Sequence, residues 1–241
     1  METALEKVER PDVVDPKEEK KQKWEKILSP ILTSLTILFI IIGALFVFVD
    51  SYYMTIYVDG SSMSPTLQNK EFGLVNPNKR ALENIKRGDI IVFKQYSGGS
   101  DESFSYYIKR IIALPNESIY FTEGFQEFDK VMIKEVGAED YVLLDEPYLT
   151  DAAKLRTAPA NMEKFPLTLE ENNFFVMGDN RANSEDSRRN IVGTVSKDRI
   201  VGVLCLIQGY VDEINTTVVD GELKTTYKGK HFYLLWKMRR Y

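Results

Sequence analysis

Three short segments of this chain hold side chains that could do chemistry together. The first, residues 60–67, reads Gly-Ser-Ser-Met-Ser-Pro-Thr-Leu and centres on Ser61 and Ser62. Hydroxyl residues between Gly60 and Pro65 can present an oxygen beside backbone N–H groups, as a serine nucleophile requires, although such loops commonly do no more than turn the chain. The second, residues 107–115, reads Tyr-Ile-Lys-Arg-Ile-Ile-Ala-Leu-Pro, a strand pattern. Alternation of faces puts Lys109 with Tyr107, Ile111 and Ala113, so that apolar neighbours favour its neutral amine. Lowering a lysine from about 10.4 to roughly 8 takes about 3 kcal/mol of differential stabilisation, within reach of an apolar pocket. The plainer alternative is a snorkelling edge-strand lysine. Arg110 faces the other way, cannot act as a base, and reads as an ion-pair partner. The third, residues 174–188, runs from an apolar strand into Gly178, Asp179, Asn180 and Arg181, then through Ser184 and Asp186 to Arg188. Side chains so dense in donors and acceptors suggest a scaffolded loop, with ordinary turn chemistry as the alternative.

Scarcity narrows the chemistry further. The chain has one histidine, His231, and one cysteine, Cys205, so histidine-pair chemistry, internal disulfides and Cys/His zinc sites are excluded, and no metal or organic cofactor is expected. A serine enzyme here must find its proton acceptor outside histidine or use a residue almost at the chain's end. With 31 Lys+Arg against 36 Asp+Glu, the net charge of −5 argues against a nucleic-acid coat. There is no Walker A sequence and no GxGxxG.

The elements that must position these residues start with a membrane segment. Residues 31–49 are uncharged and apolar, enough for a helix of about 28 Å that crosses a bilayer. Lys20, Lys21, Lys23 and Lys26 precede it, whereas Asp50 and Asp59 follow, so the positive-inside rule places the N-terminus in the cytoplasm and the rest outside. The expected organisation is a charged, disordered cytoplasmic tail over 1–28, a transmembrane helix over 29–50 and an extracytoplasmic domain over 51–241. Beyond residue 52, β-rich runs alternate with turns such as 76–78, 98–99 and 178–180, which predicts a mainly β, antiparallel fold. Short helices are expected only within 77–85 and 149–161. Residues 116–170 read either as a subsidiary lobe or as a long hairpin insertion. The basic, aromatic end, 228–241, fits either an interfacial anchor or a final edge strand with a charged end.

In order and in wording the three segments resemble the conserved boxes of bacterial type I signal peptidases. Residues 62–67 are similar to that family's nucleophile box, 87–93 (Arg-Gly-Asp-Ile-Ile-Val-Phe) to its strand box, 107–115 to its lysine box and 178–188 to its GDNRxNSxDSR box, with a weaker match at 144–149. The resemblance implies a membrane-bound Ser/Lys endopeptidase of the cell membrane, which acts on the signal peptides of secreted preproteins, cuts after small residues, and meets membrane lipid and the secretion translocon. By similarity Ser62 is the nucleophile, Lys109 the general base and Ser184 the residue that orients the lysine. Asp186 with Arg188 is implied as a supporting ion pair, and Gly178 with Asp179 as scaffolding. The Ser62 amide is implied in the oxyanion site. Some members carry a serine hydroxyl where this chain has Gly60, which leaves the second donor open. Tyr57, Val58 and Asp59, with Tyr107 and Ile108, are implied as strand edges that receive the substrate. Asn116-Glu117 stands where Gly-Asp is often found and reads as a harmless loop change. The other classes are a self-cleaving repressor, disfavoured by the membrane segment and the absence of a helix-turn-helix, and an inactive interaction module.

Overall fold

A computed structural model of the chain describes residues 16–96, 103–122, 128–219 and 222–237. The leader 1–15, the 98–99 turn and the chain end at 238–241 lie outside the described residues. The chain divides into two units, Met1–Ser51 and Tyr52–Tyr241.

The first unit is built on helix α1, Pro16–Tyr52, of which Lys23–Val49 is long and apolar enough to cross a membrane. This helix starts well before residue 29, inside a stretch expected to be disordered. Pro16 occupies the first helical position, where its missing N–H costs nothing. Lys, Glu and Gln then follow in close succession, with Glu19 four residues before Lys23, and these are good helix formers.

The second unit is mainly antiparallel β, as expected. Its strands are β1 (Met54–Tyr57), β2 (Glu71–Asn76), β3 (Ile90–Tyr96), β4 (Phe104–Ala113), β5 (Ser118–Thr122), β6 (Lys130–Lys134), β7 (Val142–Leu143), β8 (Leu167–Thr168), β9 (Asn173–Met177), β10 (Val195–Ser196), β11 (Ile200–Val219) and β12 (Glu222–Lys237). Two short helices, α2 (Lys79–Glu83) and α3 (Asp151–Lys154), lie within the stretches where helix was expected. The main sheet runs β1-β2-β11-β3-β4-β9-β10, and β12 pairs with β11. A smaller sheet runs β7-β6-β5-β8. Among the described residues the smaller sheet shares its core with the main one: Ile119, Phe121, Val131 and Ile133 lie in one apolar cluster with Ile112 of β4 and with Phe175 and Met177 of β9. Residues 228–237 of the basic, aromatic end belong to β12, which is the edge-strand reading of that segment.

Register does the positioning. Strand β4 lies antiparallel to β3, with Lys109 opposite Ile91, and to β9, with Arg110 opposite Met177. Strand β9 ends at Met177, so the polar loop begins at Gly178 directly after the residue paired with Arg110. Both β4 and β9 are rich in β-branched and aromatic residues and end deep in the core, which fixes this register because a one-residue slip would turn every side chain to the wrong face.

Candidate active site

Lys109 Nζ donates to Ser62 Oγ at 2.9 Å and to the Ile108 carbonyl at 2.9 Å. Lys109 is only 4 % exposed. Burial pushes its ammonium down to about 8, against the pull of the Asp186, Glu185 and Asp179 carboxylates, which favour the charged form. An amine of that pKa is neutral in a useful fraction of molecules near pH 7, whereas an ordinary lysine is not.

The serine is held by packing below and hydrogen bonds above. Met63 and Leu67 are buried in a cluster with Val58, Ile90 and Ile207, which pins the loop that carries Ser62. From the polar loop, the Asn180 amide donates to the Ser62 carbonyl at 3.0 Å, and Asn180 Nδ2 donates to the Ser61 carbonyl at 3.1 Å. Asn183 Nδ2 donates to Ser61 Oγ at 2.9 Å, which ties Ser61 to the polar loop. Gly60 has φ +106°, a left-handed conformation that a side chain would strain. Its amide donates to Asn69 Oδ1 at 3.0 Å, which removes it as a donor to a bound oxyanion.

Behind the pair lie two buried ion pairs. Arg110 grips Asp179 through Nε at 2.8 Å and Nη2 at 2.6 Å, and Thr66 Oγ1 donates to the same carboxylate. Asp179 therefore joins the nucleophile loop, β4 and the polar loop at one point. Arg110 also lies 3.9 Å from the centre of the Tyr148 ring. Asp186 takes Arg188 Nε and Nη2, each at 2.8 Å, and the Gly178 amide at 3.0 Å. Burial works against the Asp186 charge, yet these donors hold its carboxyl below the usual range.

Ser184 is brought to the site but not into the expected bond. Both Lys109 bonds go elsewhere, and the buried Ser184 hydroxyl lies toward the Asp186 carboxylate, whose charge it helps to favour. It also packs against Gly178, where an added Cβ would collide with Ser184 Oγ and with the Ser62 carbonyl oxygen.

A cleft of about 280 Å³ opens over the pair. Tyr57, Val58, Asp59 and Gly60 line one side, and Tyr106, Tyr107 and Ile108 the other, with Ser62, Met63 and Lys109 at the floor. Glu185 completes it and accepts from the Tyr107 hydroxyl at 3.1 Å. Among the described residues, no group of His, Cys, Asp and Glu could hold a metal ion.

A family model described as signal peptidase, peptidase S26, matches residues 31–208. The chain belongs to this family. Signal peptidase I S of Bacillus subtilis is 37% identical over 150 residues, 60% of this chain and 71% of that protein. Signal peptidase I T of the same organism is 36% identical over 151 residues, 60% of this chain and 68% of that protein. Signal peptidase I P of Bacillus subtilis subsp. natto is 32% identical over 206 residues, 83% of this chain and 97% of that protein.

Several residues of this S26 chain do work that their types did not announce. Thr66, Asn180 and Asn183 lie inside the quoted segments, but their partners are more than a hundred residues away, and no local pattern gives that. Glu117 is buried and takes Arg87 through both carboxylate oxygens, at 2.9 and 2.6 Å, as well as the Leu114 amide at 2.7 Å. Arg87 also donates to the Ile112 carbonyl at 2.8 Å, so this pair steadies the end of the lysine strand. Asn116 beside it has φ +66°, the left-handed conformation that glycine or asparagine accepts. Asn116 and Glu117 thus supply both the turn and a carboxylate for Arg87, in agreement with a harmless change at these positions.

Proposed function

We propose that this chain is a membrane-anchored serine endopeptidase that removes signal peptides from secreted preproteins by Ser62/Lys109 chemistry, cutting after small residues. The observation that carries the reading is the buried Lys109 amine, 2.9 Å from Ser62 Oγ at the floor of an open cleft.

The neutral amine takes the Ser62 proton as Oγ attacks the scissile carbonyl, and the resulting ammonium returns that proton to the leaving amine. An ester links Ser62 to the signal peptide. Water, deprotonated by the same lysine, then attacks the ester, and Ser62 recovers its proton as the carboxylic acid leaves. The backbone N–H of Ser62 receives the oxyanion. Asp186, held by Arg188 and Gly178, supports the ammonium while it exists, and Ser184 fixes the loop that carries it.

Two free strand edges support an extended substrate. Strand β1 has β2 as its strand partner, and β4 meets β9 only from Arg110 onward, which leaves 105–108 open on that side. A peptide lying between them can add its backbone to either edge, with alternate side chains pointing into the cleft. The apolar span of α1 holds the enzyme at the membrane lipid where signal peptides emerge, and the lysines before it set the N-terminus in the cytoplasm and the catalytic unit outside. A catalytic unit so placed meets preproteins as the secretion translocon delivers them.

The test is cleavage of a purified preprotein by the full chain in detergent micelles or vesicles. Wild type should release the mature protein, whereas Ser62→Ala and Lys109→Ala should lose at least about a thousandfold in turnover while staying folded. Equal cleavage by all three would refute the assignment.

A further inference from the structure

The family match ends at residue 208, but β11 runs on to Val219 and β12 returns to Lys237. This hairpin reaches the catalytic cleft. Tyr57, the last residue of β1 and part of the cleft wall, has its ring stacked on that of Tyr227 from β12, with centroids 3.5 Å apart and planes 11° from parallel. Lys230 Nζ lies 5.3 Å from the centre of the Tyr57 ring and 5.3 Å from that of Phe72. The Phe72 ring is itself 5.7 Å from Tyr57 and meets Phe232 of β12 edge-on at 5.3 Å. In a regular strand, Tyr227 and Lys230 would point to opposite faces. Gly229, between them, has φ +64°, a break in strand geometry that lets both reach one ring.

We infer that β12 braces the β1 rim of the cleft through Tyr227 and Lys230, which makes this hairpin a determinant of the side chains that the cleft admits beside the scissile bond. The inference builds on the peptidase reading above. Strand β1 is the end strand of its sheet and has a ladder on one side only, so little else in the backbone stiffens that rim. A ring clamped between an aromatic face, a cation and Phe72 keeps one position, and a wall that keeps its position excludes larger groups. Ser62 and Lys109 are held by the polar loop and β4, so the brace should govern binding and selectivity and leave the chemical step alone. Tyr227 is then a positioning residue that acts through Tyr57.

The experiment measures kcat and KM for two preprotein-derived peptides that differ only in the residue before the cut, alanine or valine. Wild type, Tyr227→Ala, Tyr227→Phe, Lys230→Met and Ser62→Ala are compared, each with its thermal midpoint. Tyr227→Ala should raise KM for the alanine peptide about fivefold and narrow the preference for alanine over valine by a similar factor, as expected for the loss of one aromatic pair. Its kcat and the acid limb of its pH profile should match wild type. Tyr227→Phe keeps the stack and should behave as wild type, and Lys230→Met should show a smaller KM effect. Unchanged KM and selectivity in Tyr227→Ala, or failure of phenylalanine to restore them, would overturn the brace while the Ser62-dependent cleavage stands. Cleavage that persists in Ser62→Ala would instead overturn the peptidase reading, and the brace with it.

Discussion

Replacing Lys109 by methionine should abolish turnover and yet stabilise the protein at neutral pH. The buried amine has a pKa of about 8 against 10.5 for the exposed group, a difference that corresponds to about 3 kcal/mol of unfavourable free energy. The sign follows from proton counts. Below pH 8 both folded and unfolded chains hold the proton, and the full penalty is present. Between about pH 8 and 10.5 the unfolded chain holds more protons than the folded one, so stability rises with pH until the penalty disappears. Methionine keeps the length and apolar stem but carries no charge. Losing the bonds to Ser62 and Ile108 takes back about 1 kcal/mol, which leaves a net gain of about 2 kcal/mol at pH 7. For a unit of this size that is a rise of roughly 4–8 °C in the thermal midpoint. Thermal unfolding of both proteins, followed by circular dichroism at pH 7 and pH 10, measures it. The gap should be wide at pH 7 and should shrink at pH 10. A variant no more stable than wild type at pH 7, or a gap of constant size, would refute desolvation as the cause of the depressed amine.

Glu185→Gln removes a half-exposed carboxylate that favours the Lys109 ammonium, so the acid limb of kcat/KM should move down by about half a pH unit and the rate at pH 7 should rise about twofold; a limb that stays put or moves up would exclude that coupling. Gly178→Ala forces a methyl group against Ser184 and the Ser62 carbonyl, and should cut kcat at least about a hundredfold for a stability loss near 2 kcal/mol, measured by steady-state kinetics and urea unfolding. Asp179→Asn removes the carboxylate that holds the buried Arg110 guanidinium and accepts from Thr66, so unfolding should become easier by about 3 kcal/mol or more, read by urea unfolding.

The sequence exposed the floor of the site better than its supports. Ser62 and Lys109 stand in segments whose wording and order are distinctive, and period-two alternation is enough to separate Lys109 from Arg110. The partner of Arg110 was not legible, because Asp179 lies 69 residues away and nothing local pairs the two. Why Asn116 and Glu117 do no harm is not legible either: residue type alone does not reveal a left-handed turn, nor that a glutamate reaches back to Arg87. Strands β8 and β10 have two residues each, too few for alternation to register, whereas the run at 141–144 marks β7. The start of α1 was missed because charge density was read as disorder, although the same lysines and glutamates are strong helix formers. Ser184 was assigned to Lys109 by likeness alone, and its buried hydroxyl instead abuts Gly178.

The strand order also bears on how the sheet around the cleft is completed. Strand β11 lies between β2 and β3, so the piece of sheet beside Ser62 and the piece that bears Lys109 are bridged by a segment translated long after both. A nascent chain that stops short of residue 200 holds both residues but lacks the keystone between them. The pocket around the pair is therefore a product of long-range pairing, which the strands made before β11 cannot assemble by themselves.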